Sequence, residues 1–324
     1  MSNAGTVPLE GDRYSIFGKR VCVRTDRGEL RQFVRDRWSA FYDPTSGPVQ
    51  VEAVFYLIPT EASNPLKEWQ FFNNGTFLII GDDRRLVTAY FYRVPWQIHV
   101  NVYRQSDDYT YYYVFEPLLL MLLMRLNLLH WHSAAISRED RGVLIAGVSG
   151  SGKTTAALSF LRAGFSFLSD DEVFLQRQGD FVYALSAESN LYVTDRTLSM
   201  FPELLRFKDT PLVRRGHADK RQLRIKEAFP GATPDQRTAA VRVVLFPKVS
   251  EGEETTIHPL SVGTAMKRFL SLAPKEYPTR VTDPVAIENQ LEIYATLART
   301  APSFDAVLGK DAEALPDMIK DFLS

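Results

Sequence analysis

The residues best suited to chemistry lie close together in the middle of the chain. Gly147-Val148-Ser149-Gly150-Ser151-Gly152-Lys153-Thr154 fits G-x-x-x-x-G-K-[ST] at every fixed position. Glycines let the backbone wrap an anion with N–H groups pointing inward, and a following helix presents its positive end to the same charge. Gly147, Ser149, Gly150, Ser151, Gly152, Lys153, Thr154 and Thr155 are therefore the candidate contacts to nucleotide phosphates. Lys153 can reach β/γ oxygens, and the Thr154 hydroxyl can ligate Mg²⁺. A little further on, Phe165-Ser166-Phe167-Leu168-Ser169 runs into two carboxylates, Asp170 and Asp171. Adjacent residues at a strand end point different ways. One carboxylate can then hold Mg²⁺ while the other accepts a proton from a substrate hydroxyl. Alone, the pair would read as a turn cap; one helix and one strand after such a loop, it reads as catalytic.

These side chains need elements to hold them. An apolar strand, Gly142–Ala146, precedes the loop, and helix formers follow from Lys153 to Ala163, ended by Gly164. Phe165–Leu168 is the next strand. Strand, helix and strand at this spacing predict a βαβ unit with parallel strands. If those strands are neighbours, both aspartates end beside the bound phosphates, at the carboxyl edge where open α/β sheets bind ligands. Glu172–Gln176 and Phe181–Leu185 flank Gly179-Asp180 as a hairpin. Val241–Phe246 and Thr255–Leu260 predict strands, and Ala265–Leu272 and Ile287–Ala298 helices. Ala312–Leu323 predicts an amphipathic helix with Leu315, Ile319, Phe322 and Leu323 inward and Pro316 in its first turn.

The N-terminal third has another texture. Val21–Val23, Val49–Ile58, Phe77–Ile80, Leu86–Tyr92, Ile98–Tyr103 and Tyr109–Phe115 are short runs rich in Val, Ile, Phe and Tyr, separated by turn residues. Period-2 alternation with close turns predicts antiparallel sheet. Glu116-Pro117 then opens a helix running through Leu118–Leu129, with Pro where its missing N–H costs nothing. A boundary at Phe115 follows, giving a β-rich region over 1–115 and a catalytic region over 116–324. That division suits 324 residues, near twice the common domain length.

Composition excludes several classes. Hydrophobic residues make up 45% of the chain, too many for intrinsic disorder. Lys and Arg number 38 against 39 Asp and Glu, so no net field favours nucleic acid or an anionic membrane. Cys22 is the one cysteine, which rules out an intrachain disulfide or a cysteine metal site and fits a cytoplasmic setting. The first residues lack the apolar core of a secretory signal. The apolar run Leu118–Met124 is far short of the about 20 residues a membrane span needs, so it predicts a buried helix.

The segment GVLIAGVSGSGKTTAALSFLRAGFSFLSDDEV resembles the catalytic core of the HPr kinase/phosphorylase family and its related proteins. That family places a His on the strand before the loop and an Asp-Asp pair on the strand after it; here these are His132, Lys153 and Asp170/Asp171. The resemblance spans His132 to Val173. It implies an ATP-dependent kinase of Ser/Thr hydroxyls with a P-loop mixed sheet core related to phosphoenolpyruvate carboxykinase. It also implies Asp170 as general base, Asp171 with Thr154 as Mg²⁺ ligands, and His132 near the transferred phosphate.

Two weaker signals remain. Arg206 to Lys226 is the most basic segment: either a solvated face or an anion clamp in which Arg221 or Lys220 counters charge on the transferred phosphoryl. His132 by spacing alone is as easily a core residue, with His130 expected on the same side. The combined expectation is an α/β protein with an HPr-kinase-like core and an N-terminal antiparallel region. It would transfer the γ-phosphoryl of ATP, with Mg²⁺, to a hydroxyl acceptor. The acceptor is Ser or Thr of a protein or peptide; a small molecule such as serine or a sugar is the alternative, as is a nucleotide-dependent switch or ATPase using water. Nucleic acid and membrane are not expected partners, and homo-oligomerisation is left open.

Overall fold

The computed structural model describes residues 11–45, 47–58, 70–81, 85–103, 114–186, 190–215, 218–233, 237–273 and 283–323. Two compact units divide the chain, Met1–Leu126 with Lys275–Asn289, and Asn127–Pro274 with Gln290–Ser324. Both are mixed α/β.

The first unit is one sheet built from β1 (Gly11–Ile16), β2 (Lys19–Thr25), β3 (Val51–Ile58), β4 (Gln70–Asn73), β5 (Phe77–Gly81), β6 (Arg85–Tyr90) and β7 (Trp96–Tyr103). Its order is β1-β2-β3-β7-β6-β5-β4. The expected antiparallel region is corrected here: β2 pairs with β3, and β3 with β7, in parallel. A parallel neighbour needs a crossover, and helix α1 (Gly28–Arg37) supplies the first. Alternation of apolar residues shows which face is buried but not which way the neighbour runs. Asp12 on β1 takes paired hydrogen bonds from Arg31 (3.0 and 2.9 Å) and Arg35 (2.7 and 2.6 Å), which tie α1 down. Burial alone would raise the Asp12 carboxyl; the two guanidiniums hold it below its usual value.

Helix α2 (Glu116–Arg125) carries its Pro in the first turn and buries Leu118 to Met124, as the apolar run predicts. Leu118, Leu119 and Leu122 line one small cavity with Val21, Val23, Val51 and Ala53, and α2 belongs to the first unit, whose N-terminal stretch ends at Leu126 rather than Phe115. At its end Arg125, 4% exposed, pairs with the fully buried Asp283 at 2.5 Å and lies over the Phe91 ring at 3.9 Å. Asp283 also accepts from Asn73 Nδ2 at 2.8 Å. Of the aromatic run from Tyr109, residues 109–113 lie outside the described residues, and Phe115 sits at the helix entrance. Among the described residues no helix is long and apolar enough to cross a membrane.

The second unit holds β8 (Leu129–Trp131), β9 (Ser133–Arg138), β10 (Arg141–Ala146), β11 (Ser166–Ser169), β12 (Val173–Gln178), β13 (Phe181–Ser186), β14 (Asn190–Val193), β15 (Leu212–Arg215), β16 (Ala218–Arg224), β17 (Thr238–Val249), β18 (Thr256–Pro259) and β19 (Ser303–Leu308). Its helices are α3 (Lys153–Arg162), α4 (Asp195–Met200), α5 (Ile225–Ala228), α6 (Val262–Ser271), α7 (Pro284–Thr300), whose first residues fall in the other unit, and α8 (Leu315–Ile319). The main sheet runs β11-β9-β10-β17-β13-β12-β8, with β19 beside β17 and β18 beside β19. A small sheet, β14-β16-β15, stands apart.

Strands β10 and β17 are apolar on both faces because helices cover both. Val143, Ile145 and Leu245 cluster with Ala156 and Phe160 of α3 and Leu315 of α8. On the opposite side Phe246 meets Phe269 of α6, which stacks on Tyr294 of α7 at 5.6 Å. The C-terminal segment is a run of short 3₁₀ and α turns rather than one helix; Leu315, Ile319 and Leu323 are buried, whereas Phe322 is exposed.

Candidate active site

Strand direction assembles the site. β10 and β11 are not the neighbours a simple βαβ unit would make them: β9 lies between and pairs antiparallel with both. They still run the same way, so Gly147 and Asp170 leave the sheet at one edge. Because β9 runs opposite, its start lies at that edge too, with Ser133 opposite Ala146. His132, one residue earlier, is thereby brought to the loop. His130 falls on β8 and packs on Phe174 instead, because the chain changes partner strand at His132.

The loop has the backbone an anion cradle requires. Gly150 and Gly152 have φ of +80° and +104°, open to glycine without strain. A Cβ on Gly152 would come 2.9 Å from both Leu308 Cδ1 and Val249 Cγ2, and one on Gly147 would collide with Ser151 Oγ. The first bond inside α3 runs from Ala156 N to Gly152 O, so the amides of Lys153, Thr154 and Thr155 precede the intrahelical ladder. Ser151 Oγ is buried with no partner among the described residues. Free donors at a helix start fit a phosphate group.

Lys153 Nζ donates to Gly147 O (2.8 Å) and Val148 O (3.3 Å) and lies 3.2 Å from His132 Nε2. Burial lowers its pKa, partly offset by Asp171 and Asp170. Thr154 Oγ1 sits 3.3 Å from both oxygens of Asp170, and Tyr192 N donates to Asp170 Oδ2 at 3.2 Å. Asp170 is fully buried. Burial first and the charge of Asp171 second push its pKa up to about 7. Asp171 behaves in the opposite way. Burial raises its pKa, but Lys220 at 3.0 Å, with His132 and Lys153 nearby, holds it below the usual carboxylate value. Its φ of +73° is a left-handed conformation that Asp tolerates better than most residues, and it turns the chain so that the two carboxylates part.

A cavity of about 700 Å³ opens over these groups, of a size suited to a nucleotide. Ser149, Gly150, Gly152, Lys153, Thr154, Thr155, His132, Asp171 and Lys220 line it; Gly147, Ser151 and Asp170 lie behind that surface. Arg221 does not join them. Lys220 and Arg221 alternate along β16, so they face opposite ways. The Arg221 guanidinium is directed to Lys208 O (2.8 Å) and Asp195 (3.0 Å), which removes it from the expected clamp and leaves Lys220.

No protein-family model and no curated protein matches the chain. Among solved structures it is similar to the Hpr(Ser) kinase/phosphatase from Coxiella burnetii, with 15% sequence identity and a TM-score of 0.26. That match covers 38% of this chain and 59% of the other, less than two thirds of the neighbour's length.

Two further walls of the cavity have no counterpart in the sequence reading. Val249, Ser250 and Glu251 leave β17 beside Leu308, Gly309 and Lys310 at the end of β19, a strand pair formed across a long interval of chain. Tyr192, Thr194, Arg196, Thr197, Ser199 and Met200 form the other wall, at the end of β14 and on α4. The signal for α4 was legible: Thr194 caps it by accepting from Thr197 N at 3.2 Å, and Asp195 sits in its first turn. Its place beside Asp170 was not.

Proposed function

We propose that the protein is an ATP-dependent phosphotransferase of the HPr-kinase-like, P-loop type that moves the γ-phosphoryl group to a hydroxyl. The observation that carries this reading is the convergence of Lys153, Thr154, Asp171, Lys220 and His132 on one cavity at the start of α3. The amides that precede the α3 ladder and the Ser151 hydroxyl would bind phosphate oxygens, with Lys153 exchanging its carbonyl partners for them.

The two aspartates take roles opposite to those the resemblance implies. Asp170 is sealed behind Thr154, out of reach of an acceptor, whereas Asp171 faces the cavity. Thr154 would seat Mg²⁺, with the Asp170 carboxylate held behind it adding negative charge to that site, and a few protein oxygens suit an ion that keeps water and phosphate ligands. Bound there, the ion supplies positive charge to the phosphate oxygens. Asp171, kept ionised by Lys220, accepts the proton of the acceptor hydroxyl as its oxygen forms the new bond to phosphorus and ADP leaves. His132, with its side chain 46% exposed, can donate to the phosphoryl group from beside Lys153.

The test is incubation with γ-labelled ATP, Mg²⁺ and a lysate fractionated by size, comparing the protein with Asp171→Asn. Label should pass to an acceptor with the unaltered protein and fall roughly 100-fold or more with the variant. Equal labelling by both would overturn the reading, and release of label only as inorganic phosphate would favour a water-using switch.

A further inference from the structure

The wall of the cavity beside Asp171 carries one cation that the phosphotransfer reading leaves without a task. Lys153 is assigned to the phosphate oxygens and Lys220 to Asp171, and Lys310 is paired with Glu253. Arg196 lines the same cavity, is exposed, and its guanidinium makes no hydrogen bond or ion pair among the described residues. It stands in the first turn of α4, two residues after Thr194, which caps the helix by accepting from Thr197 N.

Connectivity fixes which end of the cavity this is. The Tyr192 amide donates to Asp170, and β14 then leads through Thr194 directly into α4. β14 is also the neighbour of β16, which brings Lys220 to Asp171. The wall of Arg196 thus belongs to the aspartate end. Residues 249–251 and 308–310 adjoin the loop at Gly152, where Val249 and Leu308 crowd the glycine, and so border the helix-start end.

Resting on the proposed phosphotransfer, we infer that Arg196 reads a carboxylate on the acceptor, next to the hydroxyl that Asp171 deprotonates. A free guanidinium presents a planar fork of donors that matches a carboxylate in a paired hydrogen bond. An acceptor that brings a carboxylate answers a cation which ATP, held at the loop, leaves unused. The same chemistry can come from a small hydroxy acid or from an acidic residue beside Ser or Thr in a peptide.

The experiment uses the full chain with labelled ATP and two matched pairs of acceptors, L-serine against L-serinamide, and a Ser peptide with Asp next to the Ser against the same peptide with Asn. The pair that is labelled identifies the source. The carboxylate member should be phosphorylated with a kcat/KM roughly ten-fold above its amide. Arg196→Gln should bring that ratio near one and Arg196→Glu should invert it, while Arg196→Lys restores part of it and the KM for ATP stays unchanged throughout. A ratio that ignores Arg196, a shift in the KM for ATP instead, or transfer to neither pair would overturn the inference. Retained binding of labelled ATP and transfer to a lysate acceptor would keep the phosphotransfer reading standing in each of those cases.

Discussion

Replacing Asp170 with Asn should stabilise the protein and disable it, and the stabilisation should depend on pH in a way that reports the buried carboxyl. In the folded chain its pKa is pushed to about 7 from an ordinary 3.8. Between those values the folded state keeps a proton that the unfolded state has released. Stability from this group is fully present below about pH 4 and is lost as pH rises through 7. A shift of this size corresponds to about 4 kcal/mol accumulated by pH 8. Asparagine has nearly the same shape, stays neutral, and its Oδ1 can accept from Tyr192 N as the carboxylate does at 3.2 Å. Unfolding followed by scanning fluorimetry from pH 5 to 8 should show the unaltered protein losing stability across that interval and Asp170→Asn losing much less. Near pH 5, where somewhat under half of that difference has accumulated, the two should lie closer together; at pH 8 the variant should be clearly the more stable. Parallel pH curves would refute the argument, since they would mean that no raised carboxyl pKa separates the two proteins. Phosphotransfer should fall in the same variant, because a neutral amide adds no negative charge to the Mg²⁺ site, a trade of activity against stability common at functional sites.

Lys220→Met should raise the pKa of Asp171 by removing its 3.0 Å partner, so the acidic limb of the kcat–pH profile should move to higher pH; Lys220→Arg should return part of the way. Gly152→Ala forces a Cβ against Leu308 and Val249 at φ +104°, and should cost about 1–3 kcal/mol in denaturant titration together with loss of nucleotide binding. Asp283→Ala strands the buried Arg125 guanidinium and should destabilise the first unit by about 3–5 kcal/mol, seen as a lowered unfolding midpoint; Asp283→Asn, which keeps the bond to Asn73 within reach, should cost less.

Local chemistry was legible in the sequence wherever neighbours along the chain determine it. The glycine pattern of 147–152, the helix after it, the hairpin of β12 and β13 and the Pro-led helix α2 all follow from backbone preferences that a few residues settle. The conjunction of Lys153, Thr154 and the aspartates was legible for the same reason, since a single helix and strand connect them.

Tertiary structure decided the rest, because it depends on which strands lie side by side. Insertion of β9 between β10 and β11 carries His132 to the loop, and parallel pairing around β3 follows from partners that alternation cannot specify. The choice of Lys220 over Arg221 is a matter of one residue in the register of β16, which flips a side chain from the cavity to the opposite face. Depth separated the two aspartates. Adjacent and identical in type, they differ because one is enclosed against Thr154 and the Tyr192 amide while the other meets an ammonium group at the cavity surface. Solvation and the charges of distant residues set those properties, and neither is a function of position along the chain.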